Sequence, residues 1–285
     1  MRMPTSPIAE QLQLKRKLQV RGRIVFETAW RIGTGREGQT SDLGVLLDAA
    51  GQPILPGSSI KGKLRNTCEA LASALKLRAC LLNVEASGVE CASDVRWYSR
   101  YRDAYQSDLR TGVQQQLDWI EKNTCDVCKL FGSPVQAARL RCSDGTLDNP
   151  AAAAVRVRDG VVLDRDSHTA VDGLKYDYET VAAGTAFRVC FDLDNPTPKD
   201  EALFGAALFE WASGSSLGGF TSRGLGRFRL EDIEVRGVDF DDPKERVQYL
   251  TRLKAEEKLN DQGDWQSYFQ KKIEEVLNTV PAGGQ

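Results

Sequence analysis

The chain has 285 residues, 41% hydrophobic and 27% charged, a balance ordinary for a globular protein with a sizeable core. Lysine and arginine number 38 against 40 acids, so the net charge of -2 excludes a globally basic nucleic-acid binder and confines any such site to a local patch. The single histidine, His168, excludes chemistry that needs two imidazoles in one chain.

Met1 to Val20 holds no apolar leader, and no apolar run is long enough to span a bilayer, so a cytoplasmic chain with no membrane partner is expected. Leu18 to Trp30 alternates, with Leu18, Val20, Ile24, Phe26 and Trp30 on one face, which predicts a strand buried on one side. A glycine-rich polar stretch runs from Gly33 to Gly44, and Asp48 to Gly51 forms a turn. A helix starts after Gly57, with Ser58 and Ser59 as N-cap candidates and Ile60, Leu64, Cys68, Leu71 and Leu75 at helical spacing.

Regularity breaks from Arg78 to Pro150, a segment with five of the seven cysteines and too little apolar content for its own core. Strands resume at Ala153 to Arg158, with Asp159-Gly160 as a tight turn, and at Lys175 to Val181. Phe187, Val189, Phe191 and Leu193 make one clean strand face. Thr197-Pro-Lys-Asp200 reads as a capped helix start, and that helix carries Leu203, Phe204, Ala207, Leu208 and Trp211 to a stop at Gly214. Arg227 to Val235 is the last strand expected, with a bulge between Leu230 and Ile233, and 243–278 reads as helical. The order is α+β, compatible with a split βαβ sheet of the ferredoxin-like kind, which is also the scaffold of the RNA-recognition module.

An odd cysteine count without an export signal argues against a disulfide framework. Cys125 and Cys128 form a C-x-x-C pair, and with Cys80 and Cys91 they make a candidate four-thiolate structural zinc site that holds 78–150 together. Two other readings stay open: a redox pair, or buried small hydrophobes. Cys142 is a possible substitute for Cys80.

Three further motifs bear on function. Pro56-Gly-Ser-Ser-Ile-Lys-Gly-Lys-Leu-Arg65 puts three cations and no acid at a helix start, where backbone N–H groups and the helix dipole attract phosphate. The spacing is not that of an ATP-binding loop, and the plain alternative is a solvated basic helix end. Gly218-Gly-Phe-Thr-Ser-Arg-Gly-Leu-Gly226 lets a loop approach a ligand closely, with Arg223 as a phosphate fork. Asp42 is an isolated acid in a polar, glycine-rich loop, a position that by itself fits an Asx turn as well as catalysis.

Together these motifs resemble the RAMP superfamily, in particular the filament-forming backbone subunit of type III CRISPR effector complexes. The resemblance rests on Pro56 to Arg65, on Cys128-Lys-Leu-Phe-Gly132, on Val157 to Arg165 leading through Lys175 to Val181 to Gly184-Thr-Ala-Phe187, and on Gly218 to Arg227. These run in the family's order over about 18–236, and the loop style with the cysteine insertion looks closer to type III-D or III-E relatives than to type III-A. The resemblance implies a single RRM-like domain over 1–285 with a zinc-bearing insertion and a β-hairpin thumb at 157–181, His168 near its tip. It implies a guide-RNA-binding subunit, packed against neighbouring subunits, of a complex that cleaves guide-paired target RNA. Asp42 matches the family's catalytic aspartate, with a divalent ion such as Mg or Mn for cleavage. The expected RNA-binding set is Ser58, Ser59, Lys61, Lys63, Arg65, His168, Gly218, Gly219, Arg223 and Gly224. The family also contains non-catalytic guide-binding scaffolds, which is the alternative reading.

Overall fold

The computed structural model describes residues 13–35, 41–81, 91–92 and 112–279. Residues 36–40 of the glycine-rich stretch, and 82–90 and 93–111 of the expected insertion, lie outside that description. The elements in chain order are β1 (Arg16–Phe26), α1 (Gly57–Leu71), α2 (Gly112–Asn123), α3 (Asp126–Phe131), β2 (Leu140–Cys142) and β3 (Thr146–Leu147). They continue with β4 (Val155–Leu163), β5 (Ala170–Val181), β6 (Ala186–Asp194), α4 (Pro198–Ser213), β7 (Ser215–Ser216) and β8 (Arg227–Asp239). The last are α5 (Pro243–Thr251), α6 (Ala255–Lys258), β9 (Asn260–Asp261) and α7 (Trp265–Thr279).

Helices pack with an antiparallel sheet of order β2-β6-β1-β8-β7, while β4 and β5 form a separate two-stranded sheet. The alternation of β1 explains why it is central. Leu18, Val20, Ile24 and Phe26 are fully buried, and Lys17, Gln19, Arg21 and Arg23 take the other face. That second face carries ion pairs, Lys17 to Asp192 at 3.2 Å and Arg23 to Asp148 at 3.0 Å. Phe187, Phe191 and Phe228 from neighbouring strands complete the buried face.

Trp30 is not part of the strand. The strand ends at Phe26, and the chain turns so that Trp30 stacks on Phe26 at 4.5 Å and bridges to Val181. Its burial follows from ring packing rather than strand period.

Thr197 and Asp200 cap α4 reciprocally, as the sequence predicts, and Leu203, Phe204, Ala207, Leu208 and Trp211 are all buried. The Trp211 indole N–H donates to Thr67 Oγ1 at 3.0 Å, tying α4 to α1. Gly205 lets α4 approach α7, since a Cβ there would lie 2.6 Å from the Phe269 ring. Buried Glu201 accepts from Arg16 Nη1 at 2.7 Å and from the Tyr268 hydroxyl at 3.0 Å, so β1, α4 and α7 share one polar contact inside the core.

Several expected boundaries move. Asp159-Gly160 is not a turn: β4 runs through it, and Gly160 sits opposite Tyr176, whose ring covers it and leaves no room for a Cβ. The turn lies at 164–169, where Asp164 Oδ1 accepts from the N–H groups of Asp166 and Ser167. The expected insertion does not reach Pro150, because β2 and β3 pair with β6 and belong to the main sheet. The bulge expected in β8 is present, with a register shift opposite Arg21 to Arg23 and Asp232 at φ +50°, but the strand continues to Asp239. The C-terminal stretch is helical as expected, in three helices with β9 between the second and the third.

Candidate nucleic-acid interface and metal centre

The start of α1 is built from the sheet side. Its N-cap is Pro56, so Ser58 and Ser59 sit inside the first turn and do not cap it. The cap acceptor comes instead from Asp144, whose Oδ1 takes the Gly57 N–H at 2.7 Å. Gly57 must be glycine, because a Cβ would meet the Cys142 carbonyl oxygen at 2.6 Å. Ile60, Leu64 and Cys68 bury the core face of α1 and leave Lys61 and Lys63 half-buried beside it.

The glycine-rich loop arrives at the same place. Gly218 has φ +97°, and a Cβ there would lie 2.2 Å from the Arg31 carbonyl oxygen, so only glycine lets the loop cross the chain that follows β1. Gly219 N–H then donates to that carbonyl at 2.9 Å. A cleft of about 490 Å³ results, lined by Ile32, Gly33, Ser59, Lys63, Gly218 and Gly219 among others. Burial pushes the Lys63 ammonium below its ordinary range, with Glu210 opposing.

The other expected residues are distributed around this cleft. Ser58 is exposed on the first turn, and Lys61 does not line the cleft. Arg223 is exposed but committed to the hairpin, donating to the Tyr176 hydroxyl at 2.7 Å, and Gly224 ends the short helical turn beyond it at φ +84°. Arg65 turns away altogether: it donates to Glu69 at 2.8 Å and to Cys128 Sγ at 3.3 Å. His168 is exposed at the hairpin tip with φ +56°, far along β4 and β5 from the main sheet.

Asp42 is exposed, and its Oδ2 accepts the Asp177 N–H at 2.8 Å. Leu43 pairs with Tyr178 through backbone bonds, and Val45 N–H donates to Glu179 Oε2 at 2.9 Å, so the Asp42 loop is docked along β5. Asp177 faces Asp159 across the hairpin. Hydrogen bonding with Asp159, and the like charges of Asp159 and Asp42, push the Asp177 carboxyl above its ordinary range. Among the described residues, the one group of three or more candidate ligands within coordinating reach of one another is the cysteine set, and Asp42 is not part of it.

That cysteine set is Cys80, Cys91, Cys125 and Cys128, all buried, with sulfurs within 4.8 Å of one another. Cys80 and Cys128 sulfurs are 3.4 Å apart, far beyond the roughly 2.05 Å of a disulfide and near the roughly 3.8 Å edge of a tetrahedron around zinc. Backbone N–H groups of Cys80 and Cys128 donate to Cys125 Sγ, and that of Cys125 to Cys91 Sγ, which suits thiolates. Hydrogen bonds from the other three thiols drive Cys91 far below the thiol range, while Cys125 is driven up. Four thiolates this close repel one another, and a divalent cation bound among them would remove that repulsion. Cys142 stands apart on β2 and does not replace Cys80.

A model of the RAMP superfamily matches residues 23–229, from within β1 to within β8. The chain belongs to the RAMP superfamily. It is 28% identical over 247 residues to the CRISPR system Cms endoribonuclease Csm3 of Methanocaldococcus jannaschii, covering 79% of this chain and 83% of the relative. The matched span of this RAMP protein contains α1, the four cysteines, the β4–β5 hairpin and the glycine loop.

Motif reasoning missed the residues that join these parts. Asp144 caps α1 from 87 positions away, and Arg31, Tyr176, Tyr178 and Phe220 form the contacts between cleft and hairpin. Their only signal is three-dimensional. No helix among the described residues is long and apolar enough to cross a membrane.

Proposed function

We propose that this chain is a guide-RNA-binding backbone subunit of a type III CRISPR effector complex and cuts target RNA paired to its guide. The observation that carries the reading is the cleft: two separate motifs, at the start of α1 and in the glycine loop, line one groove beside the Asp42 loop. The similarity to a protein named as a CRISPR endoribonuclease supports it. The strand order β8-β1-β6-β2, fourth-first-third-second of the core strands, supports a ferredoxin-like, RRM-like domain over 1–285. RNA does not use the open sheet face in the manner of an RNA-recognition module. The outward positions of β1 hold Lys17, Gln19, Arg21 and Arg23 and offer no aromatic platform.

In this reading the guide backbone lies on Ser58, Ser59, Lys61 and Lys63 and passes the glycine loop at Gly218 and Gly219. The β4–β5 hairpin is the thumb, and its tip with His168 wedges into the guide–target duplex. Val157, Val161, Val162, Leu163 and Leu174 are exposed along it, apolar surface suited to unstacking bases. A displaced nucleotide frees the target backbone for in-line attack, chiefly a positioning effect. The target 2′-OH attacks the adjacent phosphorus, the P–O5′ bond breaks, and the 2′-OH proton leaves through Asp42. The 5′-oxygen takes a proton from water, leaving a 2′,3′-cyclic phosphate and a 5′-OH. Zinc, held by Cys80, Cys91, Cys125 and Cys128, is structural, and other subunits of the complex cover the remaining surfaces.

A second reading, a non-catalytic guide-binding scaffold, is favoured by one observation: among the described residues, Asp42 belongs to no group of three or more candidate metal ligands. The test is the assembled complex given guide-matched and scrambled target RNA, with Mg titrated from zero. Regular cuts in the matched RNA, with cyclic-phosphate ends, support the nuclease. Tight guide-dependent binding with no cutting at any Mg concentration assigns the scaffold role. Binding without dependence on the guide removes both.

A further inference from the structure

Arg31 is only 7% exposed, and Glu179 on β5 attracts its charge. Its Nη2 donates to the carbonyls of Leu43 at 3.3 Å and Gly44 at 3.4 Å, the two residues after Asp42. The guanidinium carbon lies 5.1 Å from the Phe220 ring and 6.0 Å from the Tyr178 ring. Its own carbonyl accepts the Gly219 N–H. One residue therefore touches the Asp42 loop, the glycine loop and the hairpin. Its Nε is buried without a partner, so the side chain is not an optimised stability element. Burying a cation costs stability that an apolar residue of similar volume avoids, and what this cation adds is directional bonds to two carbonyls.

We propose that Arg31 is the positioning residue for Asp42: it fixes the 41–45 loop against the glycine loop and hairpin, and so sets where the carboxylate stands relative to RNA in the cleft. This rests on the reading of Asp42 as the residue that acts on the target. The aromatic contacts make the clasp two-sided. Phe220 has Arg31 and Arg223 each about 5 Å from its ring, and Arg223 also holds the Tyr176 hydroxyl. A shift of the hairpin base is thus passed to the Asp42 loop through Tyr178 and Arg31.

The test compares Arg31→Met, which keeps volume and loses the donors, with Arg31→Lys, which keeps a cationic donor. Amide hydrogen exchange on the free full-length chain reads the clasp directly. In the Met variant the N–H groups of Leu43, Asp177 and Glu179, which bond between loop and β5, are expected to exchange at least about tenfold faster, while those of β1 and β6 are unchanged. In the assembled complex, single-turnover cutting is expected to fall by about 10- to 100-fold with target affinity within about threefold, because misplacing a reacting group by about 1 Å costs on that order. Lys is expected to restore most of both, which a space-filling role does not predict. If Arg31→Met melts out, Tyr178→Leu removes one face of the clasp and should raise exchange at the same amides to a smaller extent. Wild-type exchange in the Met variant overturns the clasp, and faster exchange with unchanged cutting overturns its role in positioning. A wild-type complex that never cuts refutes the reading of Asp42, while the exchange result still judges the clasp.

Discussion

Replacing Asp42 by Asn and by Ala separates the loop contact that the structure shows from the chemical role proposed for it. The side chain is exposed and its Oδ2 accepts one hydrogen bond, from Asp177 N–H at 2.8 Å. An Asn carbonyl can accept the same bond, and Ala cannot. One exposed bond of this kind contributes about 0.5–1.5 kcal/mol, a factor of about 2–12 in loop population. If Asp42 only held the loop, Asn would cut like wild type and Ala would lose at most about tenfold. A carboxylate that takes the 2′-OH proton contributes about 100- to 10,000-fold, or about 2.7–5.4 kcal/mol, and neither variant retains that. The expected result in the assembled complex is therefore that both variants cut at least about 100-fold more slowly, within a few-fold of each other. Target affinity should change by less than about twofold, since phosphate contacts dominate it. Single-turnover cleavage of labelled target with a parallel binding titration reads both. Near-normal cutting by Asn would falsify the chemical role and leave Asp42 as an anchor for Asp177. Failure of both variants to assemble would make the loop structural.

Purified protein should carry about one zinc, and Cys125→Ser with Cys128→Ser should lose it; elemental analysis that finds none in wild type sinks the site. In the same variant α2 and α3 should become protease-sensitive while the central sheet survives, because those two helices flank the cysteine cluster. Lys61→Ala with Lys63→Ala should weaken guide binding for every guide sequence and flatten its salt dependence by about 1.4, at about 0.7 per single-strand contact. A loss that varies with guide sequence would mean these side chains read bases. His168→Ala should leave cutting intact, because the ring stands exposed at the tip of a long hairpin, whereas removing 164–169 should blur or abolish cut spacing. Complete inactivation by His168→Ala with unchanged binding would put the imidazole in the chemistry.

Local signals carried the fold where the period was clean. The face of Phe187, Val189, Phe191 and Leu193, the capping box at Thr197 and Asp200, and the phase slip in β8 are each written within a few neighbouring residues. What misled was chemistry decided by a distant partner. Asp159-Gly160 has the composition of a hairpin turn, but the ring of Tyr176 covers Gly160 and keeps the strand going. Ser58 and Ser59 are good caps in isolation, but Asp144 already occupies that role. Leu140 to Leu147 looks irregular in sequence because its two strands are only three and two residues long, and pairing with β6 defines them.

The site divides along the same line. The four cysteines are legible from spacing and do meet, since side chains placed to share one ion leave a spacing signature in the chain; their sulfurs lie within 4.8 Å of one another. The basic helix start is legible only as a group of cations. Their side chains then separate by environment: Lys63 lines the cleft, Lys61 stands outside it, and Arg65 bonds to Cys128. Arg65, expected among the RNA contacts, is held here by Glu69 and by Cys128, one of the four candidate metal ligands. Because α1 presents Ser59 and Lys63 to the cleft while Arg65, one half-turn on, is bound to Cys128, the cysteine cluster is part of what holds the cleft in shape. A cluster 17–65 residues away in sequence from Lys63 therefore bears on the cleft through Arg65, not as a lining surface but as a fixed point against which its helix is set.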